Sequence, residues 1–245
     1  MLFLSLLIGF LGQCEQCHPL TTVVMNISIT LLSTPVLWLT NILMLGALLL
    51  ASWYAPWRAL LQKTERQHAF FAACIALILM MQLQMQWVDG VRLHFLVMSS
   101  LVVIFGWSLA LIIGLGAQIL ALGWGGDLSL ALGVNYCLSV ILPASVAYWV
   151  FRRIVRSKSN NLFLFLLGGG FFGSILTLLV SLLGLVGLLL LSRQWEVLGS
   201  LWDSGLIVVL LSYAEGFLNG LIVTAVTVFF PSIVKTFDEK KYLDQ

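Results

Sequence analysis

Charge is what this sequence has least of. Asp, Glu, Lys and Arg make up 9% of its 245 residues, against 61% apolar residues and a mean hydropathy of +1.07. A soluble domain carries about 25% charged residues, so too few remain to solvate the surface of a 27.1 kDa globule. The net charge of +2 is not gathered on a soluble basic face, which excludes a nucleic-acid footprint. No Gly-x-x-x-x-Gly-Lys-Ser/Thr occurs. The glycines at 168–170 sit in an apolar run without Lys and cannot cradle phosphate. They read instead as a place where helix backbones approach closely. The chain is therefore not expected to hydrolyse a nucleotide by that route, and any pumping draws its energy from a partner; no enzyme activity is expected of it.

The charge that is present is patterned. Ten of the 12 Lys and Arg residues fall in three clusters: Arg58, Lys63 and Arg66; Arg152, Arg153, Arg156 and Lys158; and Lys235, Lys240 and Lys241. Between them lie apolar runs, and about 20 apolar residues span a bilayer as a helix. The runs are 31–53, 69–87, 93–122, 132–151, 162–191 and 205–230. The third is too long for one ordinary span, and Gly106-Trp107 divides it. The prediction is an all-α polytopic integral membrane protein of about seven transmembrane segments. Basic loops stay in the cytoplasm. Threading the chain with its N-terminus outside and its C-terminus inside puts all three clusters on the inner side, and splitting 93–122 is required for that result. Trp53, Trp57, Trp87, Trp124, Trp195 and Trp202 fall at segment ends, as interfacial anchors do. The expected layout is an N-terminal outer segment over 1–30, a transmembrane domain over 31–231 and a cytoplasmic tail over 232–245. Leu2–Gly12 is too short to span and lacks the positive n-region of a secretory signal; a signal-like segment, an interfacial helix and a mistaken upstream start are the readings it leaves.

Intramembrane polar residues are functional candidates. Glu215, in Tyr213-Ala214-Glu215-Gly216, is either a coupling or transport group or a carboxyl hydrogen-bonded for packing. His94 opens the third run and is either a metal ligand or a hydrogen-bonded structural residue. His68, next to Arg66, reads as an interfacial residue. Asn135 follows the 123–131 loop that holds Asp127, and it either lines a site or satisfies loop backbone. Gln82, Gln84 and Gln86, placed on a helix, read as interhelical hydrogen-bonding groups. Cys14-Glu15-Gln16-Cys17-His18 fits covalent haem attachment, a soft-metal site on the outer face, a disulfide, or no role. Cys74 and Cys137 lie inside apolar runs and read as packed thiols.

Five motifs in order resemble the CbiM/NikM family, the substrate-binding membrane component of cobalt and nickel energy-coupling-factor transporters. Leu32-Ser33-Thr34-Pro35-Val36-Leu37-Trp38 is similar to its Leu-Ser-Pro-Pro-Val-Trp. Leu93-His94-Phe95-Leu96 is similar to its Gly-His-Leu, and Gly106-Trp107 to its Gly-Pro-Trp turn. Gln118 to Asn135, with Gly125-Gly126-Asp127 and Ala131-Leu132-Gly133-Val134-Asn135, is similar to its Gln…Gly-Asp-Gly-Gly…Ala-Leu-Gly-Ala-Asn segment. Ala214-Glu215-Gly216 is similar to its Gly-Glu-Gly. The resemblance runs from about Met25 to Pro231. It implies a metal held by a free amino terminus, a second-position His and the His of the Gly-His-Leu stretch. His94 matches the last of these. Met25 aligns with the family's first residue, which makes it a plausible alternative start, and Asn26 stands where the second His belongs. An amide cannot replace imidazole for Co(II) or Ni(II) at comparable strength. Cys14, Cys17 and His18 are an alternative donor group.

The resemblance also implies partners: the lipid bilayer, a transmembrane coupling protein and cytoplasmic ATPases. Ala47 and Ala51, with Gly46 adjacent, suit a close helix contact with the coupling protein; internal packing is the other reading. The expected function is substrate capture in an energy-coupling-factor importer of the bacterial inner membrane. Co2+ or Ni2+ is the expected substrate, with no permanently bound cofactor. Capture is expected near His94 and Asn135 beneath the 123–131 loop, with Glu215 and Asp127 as polar support. Two other classes fit the same residues: a family member that lost metal binding and carries another small solute, and a membrane scaffold or haem-linked redox protein built on Cys14, Cys17 and His18.

Overall fold

The computed structural model describes residues 31–88, 90–125, 130–157 and 161–235, with backbone alone for Gln84 and residues 121–125. Nearly all of it is helix, because in hydrocarbon the backbone must satisfy its own N–H and C=O groups. Helix α1 (Thr34–Tyr54) starts with a proline in its first turn, where the missing N–H costs nothing. A short α2 (Trp57–Leu61) leads into α3 (Thr64–Gln82). Then come strands β1 (Gln84–Val88) and β2 (Val91–His94), α4 (Met98–Phe105) and α5 (Trp107–Gly125). Helices α6 (Leu132–Tyr136) and α7 (Leu142–Arg156) form one 25-residue rod joined by a π turn at Cys137–Ile141. Pro143 stands just beyond that turn. Its missing N–H breaks the regular ladder and accounts for the shift in register. A second π segment, Leu164–Phe172, runs into α8 (Gly173–Leu191). Helix α9 (Trp195–Asp203) and α10 (Gly205–Phe229) complete the bundle.

Among the described residues four helices are long and apolar enough to cross a bilayer: Thr34–Tyr54, Leu132–Arg156, Leu164–Leu191 and Gly205–Phe229. The other predicted segments are shorter or less apolar helices, α3, α4 and α5. The run 93–105 supplies only the eight residues of α4, about 12 Å of helix, and all eight are buried. The run 69–87 is cut short as well, since α3 stops at Gln82 and the next residues enter a hairpin. β1 and β2 pair antiparallel, Gln84 opposite His94 and Met85 opposite Leu93. The helical reading of Gln84 and Gln86 is thereby corrected, while Gln82 is the last residue of α3. Alternation with period two is the signature of a strand, and here the hairpin realises it. Trp87 accordingly lies on β1 rather than at a helix end, and the stretch between the runs 162–191 and 205–230 holds α9.

The Gly106 break is as expected. Gly106 has φ +84, a conformation that glycine adopts without a steric penalty, and it lets α5 double back on α4. The glycines at 168–170 also pack as expected. A Cβ on Gly169 would run into the Phe151 ring, and one on Gly170 would sit 3.2 Å from the Gly220 Cα.

The described members of the three basic clusters gather at one end of the bundle, while Lys158, Lys240 and Lys241 lie outside the described residues. Lys235 N–H donates to the Ile104 carbonyl at 3.0 Å, and the Arg66 guanidinium reaches the Ser232 carbonyl at 3.5 Å. Val234 shares a small apolar cluster with Phe151, the residue before Arg152. Arg153 lies 4.8 Å over the Trp149 ring. Trp53 and Trp202 are among the most exposed side chains, at 86% and 88%, which suits rings placed where bilayer meets water.

Candidate substrate site around His94

α10 builds the site from its buried stripe. Ser212, Glu215, Gly216, Asn219, Val223 and Thr227 recur every three to four residues on its inward face, while Leu206, Val209, Leu210 and Phe217 point outward. This is an amphipathic helix with its polar groups toward the protein and its apolar ones toward lipid.

Those polar groups receive the start of α4. Leu96 N–H donates to Glu215 Oε2 at 3.1 Å and Val97 N–H to Oε1 at 2.8 Å. Ser100 N–H and its hydroxyl both donate to Asn219 Oδ1, at 3.0 and 2.7 Å. The Asn219 amide closes the ring by donating to Glu215 Oε1 at 2.8 Å. The first N–H groups of any helix lack intrahelical partners. Here a carboxylate and an amide from another helix supply them, with the charge sign that the positive helix start favours. Val97 sits in the left-handed region at φ 52, a strained conformation for a β-branched residue. The Glu215 carboxylate holds that turn in place. Glu215 is thus hydrogen-bonded to the start of α4 and to Asn219.

The turn it holds carries His94 two residues upstream. His94 is 2% exposed. Its Nδ1 lies 2.8 Å from the Phe95 carbonyl. A carbonyl only accepts, so in the neutral ring the proton sits on Nδ1 and Nε2 keeps its lone pair. Nε2 is buried with no hydrogen-bond partner. An imidazole oriented through one nitrogen with the other left bare is how histidine is presented to a metal.

Asn135 is buried on α6. Its carbonyl accepts the Ser139 hydroxyl at 2.5 Å, and Ser139 Oγ accepts from Gln118 Nε2 at 3.2 Å. Gln118 is fully buried and its Oε1 has no partner. The end of the 123–131 loop is tied to α1, since Asn41 Nδ2 donates to the Leu130 carbonyl at 2.8 Å. Gly133 fits against the Asn41 backbone with no room for a side chain. Ala51, one of the two small residues expected to dock a partner, is fully enclosed. Ala47 lines an apolar groove with Gly46, Leu43 and Leu50.

Met25, Asn26, Asp127, Cys14, Cys17 and His18 lie outside the described residues. Among the described residues no three or more His, Cys, Asp or Glu side chains gather as a metal cage. Asn219, Ser100 and Gln118 were not singled out from the sequence as site residues. Asn219 had a signal: it stands four residues after Glu215, on the same helix face.

No curated protein and no solved structure is similar enough to the chain to count as a match. The family model described as cobalt uptake substrate-specific transmembrane region, CbiM, matches residues 26–233. That stretch takes in the hairpin with His94, the broken α4, the Gln118–Asn135 region and the α10 stripe that holds them. The chain belongs to the CbiM family of transmembrane cobalt-uptake components.

Proposed function

We propose that this chain captures a divalent transition metal, cobalt or nickel, as the membrane substrate component of an energy-coupling-factor importer in the bacterial inner membrane. The observation that carries the reading is the bare, buried Nε2 of His94 on a turn clamped by Glu215. Imidazole suits both metals. His94 supplies one donor. The remaining donors come from the segment before residue 31: the amino group and neighbouring atoms at Met25 and Asn26, or Cys14, Cys17 and His18. Gln118 and Asn135 furnish polar lining, and the loop containing Asp127 closes over the captured ion. The N-terminus faces outward and the basic end faces the cytoplasm. There a coupling protein meets the exposed face of α1 at Gly46 and Ala47, and ATPases supply the energy this chain has no motif to harvest.

The test is radioactive cobalt uptake in cells stripped of their own cobalt and nickel importers. Uptake should require this chain together with a coupling protein and an ATPase pair, and should vanish with His94→Ala. Uptake that persists without the ATPases, or that is indifferent to His94, contradicts the proposal. Asn26 favours one second reading, the same fold kept for a different small solute. It predicts partner-dependent assembly without metal uptake.

A further inference from the structure

At the basic end of the bundle two cations share a wall, and among the described residues no carboxylate neutralises them. Arg66 and Lys235 line one cavity of about 20 Å³, room for a single water-sized group. Among the described residues Arg66 Nε is buried without a partner, and the guanidinium's hydrogen bond is the 3.5 Å reach to the Ser232 carbonyl. The Lys235 side chain lies over Gly106. Burial, and then the Arg66 charge, pull its ammonium below its ordinary pKa. No acidic side chain among the described residues pairs with either. Glu65, next to Arg66 in sequence, is exposed and faces the groove next door, and Asp238 and Glu239, which follow Lys235, lie outside the described residues.

That groove is the second observation. It measures about 690 Å³ and shares Ile104, Phe105 and Ile233 with the cationic cavity. From His68 and Ser232 it runs between α3, at Ala69, Ala72 and Ala73, and the end of α10, at Val226, Phe229 and Phe230. Small side chains on one wall and rings on the other leave an apolar slot on the lipid-facing surface of the bundle. It begins beside a doubly positive cavity.

We propose that Arg66 and Lys235 hold the phosphate of an anionic phospholipid at the mouth where their small cavity meets the groove, at Ile104, Phe105 and Ile233, with its acyl chain in the α3–α10 groove. Charge selects the headgroup, since basic pockets between transmembrane helices at the cytoplasmic face take anionic lipid heads. The groove selects a molecule with a tail, which a free anion or an acidic peptide lacks. A lipid seated there bridges α3, the Gly106 turn and the last residues of α10. The site is separate from His94 and stands whether or not the metal proposal does.

Native mass spectrometry of the purified full chain after delipidation tests it. Phosphatidylglycerol and phosphatidylcholine of equal chain length are offered in turn, with and without millimolar inorganic phosphate. The wild type should retain one phosphatidylglycerol with at least a tenfold preference, undiminished by phosphate. Arg66→Gln/Lys235→Gln should bring the preference close to one. Ala72→Phe, which fills the groove and leaves both cations, should also lose the lipid. Arg152→Gln/Arg153→Gln should retain it, which controls for a general loss of positive charge. Equal retention of both lipids overturns the proposal. So does a preference that survives the Arg66/Lys235 variant, displacement by inorganic phosphate alone, or the absence of any bound lipid.

Discussion

Replacing Glu215 with Ala takes three hydrogen bonds from the interior at once: those from Leu96 N–H, Val97 N–H and the Asn219 amide. Side-chain hydrogen bonds between transmembrane helices are worth about 0.6 kcal/mol on average and up to about 1.7, so the loss is roughly 2–5 kcal/mol. Val97 at φ 52 adds to it, because strain of this kind, of order 1–3 kcal/mol, persists only where surroundings enforce it. For a chain of this size 1 kcal/mol moves Tm by about 2–4 °C, giving an expected drop of roughly 5–20 °C in mild detergent. Glu215→Gln is the finer probe. Its carbonyl can still serve Val97 and Asn219, but its amide faces the Leu96 N–H donor to donor. One buried N–H left unpaired costs about 1–3 kcal/mol, so this variant should melt between wild type and Glu215→Ala. Cobalt binding should fall in the same order, since the turn that presents His94 loosens step by step. The assay is thermal denaturation with and without cobalt. If Glu215→Ala melts with the wild type yet abolishes cobalt binding or transport, the carboxylate acts on the ion or on coupling, and the clamp argument is refuted.

Other substitutions check the remaining joints. In Gly133→Ala the new Cβ would lie 2.5 Å from the Asn41 N and 2.6 Å from its Cα. Backbone yields less readily than a side chain, so α1 must separate from α6 at a cost of about 1–3 kcal/mol, read as a lowered Tm. Gly169→Ala presses on the Phe151 ring at a similar cost. Adding Phe151→Leu should recover part of it, and a double-mutant cycle that is purely additive would contradict the contact. Tyr136→Phe loses the 2.7 Å hydrogen bond from the Tyr136 hydroxyl to the Leu111 carbonyl and should lower stability by about 1 kcal/mol, with metal binding unchanged.

How much of this was legible in the sequence depended on the range of the interaction. The basic clusters announced their common end because charge and hydropathy act locally along the chain. Gly106 announced a break because a glycine between two apolar runs has few other uses. The hairpin was obscured: an apolar run signals burial without distinguishing strand from helix, and the alternating glutamines were read on the wrong period. Glu215 could be flagged as a buried carboxyl, but its partners Leu96 and Val97 stand more than a hundred residues away, and no local pattern encodes that pairing. His94 was visible as an imidazole in an apolar setting. That Nε2 is the bare nitrogen follows from the Phe95 carbonyl alone.

The measurement closest to the central claim is elemental analysis of the protein purified in mild detergent and loaded with cobalt or nickel, beside His94→Ala prepared identically. Capture through the bare Nε2 of His94 predicts close to one metal ion per chain in the wild type and none in the variant. No metal in either protein after loading, or equal metal in both, would contradict it. The family's fold would then serve a different cargo in the first case, or a site without His94 in the second.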